Sequence, residues 1–335
     1  MRQKRFELYF SILTVAILVI GILYLSLGSY AMTWDAVLRT VLGFGNSMER
    51  LAILKIRLPR LLMGWMVAIA LAHAGGVLQT MTRNSLADTN LLGFNAGAAL
   101  FAVLYIQSQT LTYYAELGRF AIFVLPLVSI LGAGFTALLL FLLAGGKAFQ
   151  IRRLLLVGLG LQAGLNALIL LFSFRGRVGD YNRILIWLSG SLWGTSWLYV
   201  IAFLPLLSLT LLLLYRSTPK LDLLLLKDEQ AIGLGVPVAG FRIKLYALAV
   251  ILAGSAVAFA GNIGFIGLLA PHIARKLVGV YHRHFLPIAA LVSMVLISIS
   301  DALARNLFSP IELPVGLIIA LMGVPYFIIL LLKEK

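Results

Sequence analysis

Ten apolar runs of about 16 to 25 residues follow one another along this chain, each close to the length of about 20 that crosses a bilayer. They lie at 8–28, 61–80, 91–107, 119–143, 154–173, 192–215, 245–262, 264–279, 285–304 and 314–332. Without water to satisfy its backbone, each run must make its own hydrogen bonds, so the expected fold class is all-α, polytopic, with about ten transmembrane helices. The run at 264–279 is the shortest and contains Pro271, which predicts a broken helix surrounded by protein rather than lipid. The longest polar breaks, 29–56, 174–191 and 216–244, are too short for a soluble domain, so residues 1–335 are expected to form one membrane domain.

Composition agrees. Hydrophobic residues make up 61% and charged residues 12%, against about a quarter charged in soluble domains. A net charge of +15 would suggest nucleic acid in a soluble protein. Here lysine and arginine segregate instead: with the N-terminus inside, about 17 fall on the cytoplasmic side and about 10 outside. An even number of spans returns the C-terminus to the cytoplasm as well. The first run, at about 20 residues, exceeds the apolar part of a cleaved signal, which predicts a retained span. With no cysteine, there is neither a disulfide framework nor a thiolate metal site.

Three polar stretches stand out. Arg57 and Arg60 flank Pro59 at the start of the second run, where helical spacing puts both on one face. A helix N-terminus disfavours cations by roughly 0.3 to 1 kcal/mol each, so their placement predicts an acidic surface arriving from solvent. In the break at 216–244, Asp228 and Glu229 suit a helix's first turn, and Gly235 followed by Pro237 would stop it. Glu229, Ala231 and Gly235 there spell E-x-A-x-x-x-G. The turn after the second run is polar around Asn84 and Leu86, and non-helical backbone at that depth needs protein or water around it.

Other features carry less. His73 and His272 each stand alone, without partners at ligand spacing, so no metal site is expected. Gln79 and Asp88 should face the interior, because polar groups are costly in lipid. Small-xxx-small pairs at Gly93–Gly97, Gly160–Gly164 and Gly190–Gly194 predict close helix approach. The segment 143–150 superficially suggests a phosphate loop, but Phe141 and Ala148 occupy the positions of its first glycine and its hydroxyl. ATP hydrolysis is therefore expected from another polypeptide.

The blocks RLPR (57–60), GGVLQTMTRNSLADTNLLG (75–93), GSLWG (190–194), DEQAIGLGV (228–236), GFIGLLAPHIAR (264–275), DALAR (301–305) and ELPVG (312–316) occur in an order that resembles the iron-siderophore and vitamin B12 permeases of ABC importers. The resemblance runs from about residue 55 to the C-terminus and implies the type II importer permease architecture. It implies a coupling segment at Glu229, Ala231 and Gly235 that meets the ATPase, and a cytoplasmic gate at Asn84 and Leu86. It implies docking of an extracellular substrate-binding protein at Arg57, Arg60 and Arg305. Ser85 and Thr89 stand where the family pattern has proline. The implied partners are two cytoplasmic ABC ATPase subunits, that binding protein, a second permease subunit and membrane lipid, with no cofactor and no nucleic acid. The implied cargo is a ferric siderophore, with vitamin B12 or heme as alternatives, carried across a bacterial plasma membrane. An ion-coupled secondary transporter is the rival class, and spans nearly free of carboxylates argue against it.

Overall fold

A computed structural model describes residues 2–28, 30, 32–90, 92–108, 121–146, 151–175, 184–308 and 311–333. Among these residues the chain is helical and has no strand. The helices are α1 (Arg2–Ser26), α2 (Trp34–Val41), α3 (Ser47–Arg50), α4 (Leu58–Thr82), α5 (Phe94–Ser108), α6 (Ala121–Leu143) and α7 (Ile151–Arg175). After them come α8 (Trp197–Tyr215), α9 (Thr218–Leu223), α10 (Asp228–Gly233), α11 (Val238–Ala260), α12 (Ile266–Val278), α13 (His282–Asn306) and α14 (Val315–Lys333). Lys147 and the rest of the 143–150 segment after Gly146 lie outside the described residues.

Among the described residues each of the ten apolar runs contains one helix, and seven helices are long and apolar enough to span a membrane. Two boundaries move: the runs beginning at 91 and 192 become helical only at Phe94 and Trp197, after turns in which Gly93 and Gly194 take positive φ. Gly190 also has positive φ, so the Gly190–Gly194 pair shapes a turn rather than a helix–helix contact.

At the centre, α4 packs against α8, α11, α12 and α13. Its residues from Val67 to Thr82 are almost all buried, as expected of a helix apolar all round. Close approach is bought with missing side chains: a Cβ on Gly75 would lie 1.8 Å from the Gly267 carbonyl oxygen, so α4 and α12 touch backbone to backbone. A Cβ on Gly97 would likewise strike Thr136 and the Gly132 carbonyl, holding α5 against α6. At Gly160 and Gly164 nothing lies within 4 Å, so that face of α7 is open.

The segment at 264–279 is a short helix, but Pro271 does not break it: α12 runs through the proline, and the break lies before the helix. α12 has 13 residues, about 20 Å at the helical rise, short of the roughly 30 Å hydrocarbon core. A non-helical stretch over 261–265 precedes it, and α4, α13, α1 and α14 surround it.

One expectation is overturned. Arg57 and Arg60 are not at a helix N-terminus, because helix runs without interruption from Ser47 to Thr82. Asn46 caps its true start, its side chain accepting from Glu49 N–H while Glu49 accepts from Asn46 N–H. The turns from Leu51 to Arg57 are wound as π-helix, and this wider register leads directly into Pro59. The dipole argument for an incoming acid therefore lapses, since Arg57 lies ten residues, more than two turns, inside the helix that starts at Ser47.

Candidate functional site

One end of the bundle carries the described starts of α1 and α13, where Phe6 stacks near His284, together with α9, α10 and the turn after α4; we call it the terminal end. The other, distal end carries the described parts of the connections between α1 and α4, between α7 and α8, and between α13 and α14.

At the terminal end, α10 forms where the E-x-A-x-x-x-G spacing predicts it. Asp228 and Glu229 sit in its first turn, and Ala231 is fully buried against the bundle. The stop is built from three bonds: Leu234 N–H to Gln230 O (3.1 Å), Gly235 N–H to Ile232 O (2.8 Å) and Val236 N–H to Ala231 O (3.1 Å). Gly235 has φ of 84°, the left-handed region in which a side chain is strained even though open space surrounds it. Ile232 and Leu234, 60% and 61% exposed, project outward, so the connector presents an apolar tip to its surroundings.

The predicted gate is a turn stitched by its own side chains. Asn84 Oδ1 accepts from Leu86 N–H (2.9 Å), Asn84 N–H donates to Gln79 O, and Ala87 N–H donates to Asn84 O. Asn84, Ser85 and Leu86 are half-buried. Thr89 N–H donates to Asp88 Oδ1 at 2.8 Å, a bond that proline could not make at this position. The turn faces the 261–265 break: Asn95 Nδ2 donates to Asn90 Oδ1 (2.6 Å) and to Asn262 Oδ1 (2.9 Å), joining two non-helical stretches inside the bundle. Gln79 and Asp88 are buried as expected, and Gln79 Oε1 accepts from Arg275 Nη1. The His73 ring nitrogens meet Ile69 O and the Tyr215 hydroxyl, and His272 lies edge-on to Tyr326. No group of three potential metal ligands occurs among the described residues.

At the distal end the three arginines converge, and each is spent within the chain. Arg57 donates to Leu25 O (2.6 Å) and Tyr30 O (2.6 Å). Arg60 forks onto Asp301 (2.9 and 2.8 Å) and reaches Glu312 (2.7 Å), while the Tyr24 hydroxyl donates to Asp301 Oδ2. Arg305 donates to Tyr24 O and lies over the Tyr24 ring, 4.3 Å from its centre. All three are buried, so they tie α1, α4, α13 and the loop before α14 together rather than standing free. Beside them a cleft of about 270 Å³ opens between Lys55, Arg60, Trp193, Thr195 and Glu312, with Lys55 exposed at its rim.

Sequence reasoning assigned no role to Asp301, Glu312 or Tyr24. The available signal was Asp301 itself, a carboxylate inside an apolar run, which demands a partner. Arg83 and Asp228, each adjacent in sequence to a predicted site residue, were also missed as a pair: Arg83 Nη2 lies 2.7 Å from Asp228 Oδ1.

An all-helical bundle with a broken inner helix, a polar turn folded back into it and an apolar connector tip defines a membrane permease. The chain belongs to the FecCD transport family, whose model matches residues 16–333. It is 38% identical over 322 residues to the iron(3+)-hydroxamate import system permease protein FhuG of Bacillus subtilis strain 168, covering 95% of both chains. It is 37% identical over 323 residues to the Fe(3+) dicitrate transport system permease protein FecD of Escherichia coli K12, covering 96% of this chain and 98% of that one. Among solved structures, a metal-chelate type ABC transporter in an inward-facing conformation superposes with a TM-score of 0.84 at 29% identity, over 98% of this chain and 99% of that one. The fold is that of a type II ABC importer permease, and the chain is a multi-pass membrane protein.

Proposed function

We propose that residues 1–335 form one permease domain that carries a ferric chelate, of the hydroxamate or citrate type that the relatives' names describe, across a bacterial plasma membrane. The observation that carries this reading is α10: a short helix with Ala231 buried and Ile232 and Leu234 exposed offers an apolar tip to a soluble partner. In this reading that partner is one of two cytoplasmic ABC ATPase subunits, Glu229 and Gly235 shape the contact, and the terminal end is cytoplasmic. Asn84 and Leu86 form the inner gate. A second permease subunit covers open helix faces such as that of α7 at Gly160 and Gly164, and lipid covers the remainder.

The distal end receives an extracellular substrate-binding protein. Because Arg57, Arg60 and Arg305 are bonded internally, they serve docking by fixing the shape of that end, and Lys55, exposed at the cleft rim, is a cation that a partner's acid can reach directly.

The test is uptake of radiolabelled iron from a panel of ferric siderophores by cells lacking this chain, complemented with wild type or Gly235→Arg. Loss of one chelate class, restored by wild type but not by the glycine variant, is the expected result. Undiminished uptake of every ferric chelate would remove the cargo assignment, and rescue by Gly235→Arg would remove the coupling role of α10.

A further inference from the structure

Arg83 ends α4 in the left-handed conformation, with φ of 49°, a position where glycine is the usual choice. It is also the residue immediately before Asn84. An arginine held there against its backbone preference points to a need for its side chain, and that side chain reaches across to the connector. Arg83 Nε donates to Leu224 O at 3.2 Å, and Nη2 donates to Leu226 O and to Asp228 Oδ1. Asp228 opens α10 and is gripped from behind by α11, with Arg242 Nη1 2.7 Å from Oδ2 and Nη2 2.9 Å from Oδ1. One guanidinium thus fastens the end of the gate helix to two backbone carbonyls and a carboxylate, on the segment that leads into the coupling helix.

Resting on the function proposed above, we propose that Arg83 is a positioning residue that makes the gate turn and α10 one rigid body. Displacement of α10 is delivered to Asn84 and Leu86 through this fork. The geometry is specific to arginine: a planar fork can serve carbonyl and carboxylate together, whereas a lysine ammonium is a single point charge on a flexible stem. The Arg83 and Asp228 side chains are 40% and 41% exposed, so the pair adds little to stability and its loss should leave a folded protein.

The experiment uses proteoliposomes holding the full importer, with iron uptake and ATP hydrolysis read together. Arg83→Lys and Arg83→Gly should co-purify with the ATPase subunits and hydrolyse ATP as wild type does, while iron moved per ATP falls about tenfold, the scale of coupling mutations. Unchanged iron per ATP would overturn the proposal. So would loss of ATPase co-purification, because Arg83 would then hold the docking helix rather than transmit its motion.

A second arm uses the chain's lack of cysteine, which makes Arg83→Cys with Asp228→Cys its only thiol pair. Bridging that pair with a short bifunctional thiosulfonate should restore the coupling lost in the unbridged variant. A bridged protein that transports only after reduction would show that the two segments must part, and the rigid body would be wrong. If wild-type uptake needs no ATPase, the function proposed above fails on its own evidence, and the bridge still decides whether turn and helix move together.

Discussion

Two arginine–carboxylate networks sit at opposite ends of one helix, and they differ in how much water reaches them. At the distal end the Arg60 and Asp301 side chains are 8% and 2% exposed, and Asp301 also receives the Tyr24 hydroxyl. At the terminal end Arg83 and Asp228 are each about two-fifths exposed. A buried pair is costly to break, because either partner left alone is an uncompensated charge, whereas an exposed pair can open at little cost. The distal network is therefore suited to holding α1, α4 and α13 in fixed relation. The terminal network adds little to stability and instead ties the gate turn to α10, so that the two move together.

Asp301→Ala should have the largest effect: it leaves buried Arg60 with only the Glu312 arm of its fork and the Tyr24 hydroxyl without its acceptor, and thermal unfolding in detergent should report a loss of about 3 kcal/mol. Replacing both partners, as Arg60→Met with Asp301→Leu, should recover most of that loss. If the single and double variants unfold alike, the distal cluster is not a buried clamp. Glu312→Gln, which touches only the 36% exposed arm of the cluster, should cost about 1 kcal/mol in the same assay.

Lys55→Glu should leave the unfolding midpoint unchanged and slow association of the binding protein, with the difference from wild type shrinking as salt rises. An effect that persists at high salt would move the docking contact elsewhere. Arg83→Met should change stability by less than about 1 kcal/mol, the contrast that most sharply separates the two ends. A loss as large as that of Asp301→Ala would make both networks structural.

The smallest expected effect is in pH. Hydrogen bonds from Arg242, helped by the charges of Arg242 and Arg83, hold the Asp228 carboxyl below its ordinary range. A depressed folded value means that the carboxylate's contribution is complete above the ordinary carboxylate range and is lost as pH falls through the depressed value. Hydrogen exchange of the α10 amides should be slower in wild type than in Asp228→Asn near neutrality, and the two should converge in strong acid. Curves that already coincide at neutral pH would remove Asp228 from the hold on α10.

The helices were readable because length and apolarity suffice to find a span, even where Gly93 and Gly194 shift its start. α10 was readable because the acids Asp228 and Glu229, the stop glycine Gly235 and the following Pro237 are local signals. The distal site was not, for two reasons. Pro59 suggests a helix start, and the π-wound turns that carry the helix past it leave no recognisable pattern in the residues. The partners of Arg60 are also remote, 241 and 252 residues away at Asp301 and Glu312. Arg83 and Asp228, 145 residues apart, were hidden in the same way. What a cation does is decided by tertiary placement, while where a helix forms is decided nearby.

The π-wound turns ending at Arg57 have a mechanical consequence. Between them and the left-handed stop at Arg83 lies an uninterrupted α-helical piece of 25 residues, about 37 Å long at the helical rise. Pinned at its distal end by Arg57 and Arg60, this piece would act as a lever about the wide-wound joint only together with α12, whose backbone it touches. A tilt of about 5° at the pivot sweeps the Asn84 turn through about 3 Å, roughly the radius of one side chain. In the reading proposed above, in which Asn84 and Leu86 form the gate, a small rotation far from that turn is enough to open or close it.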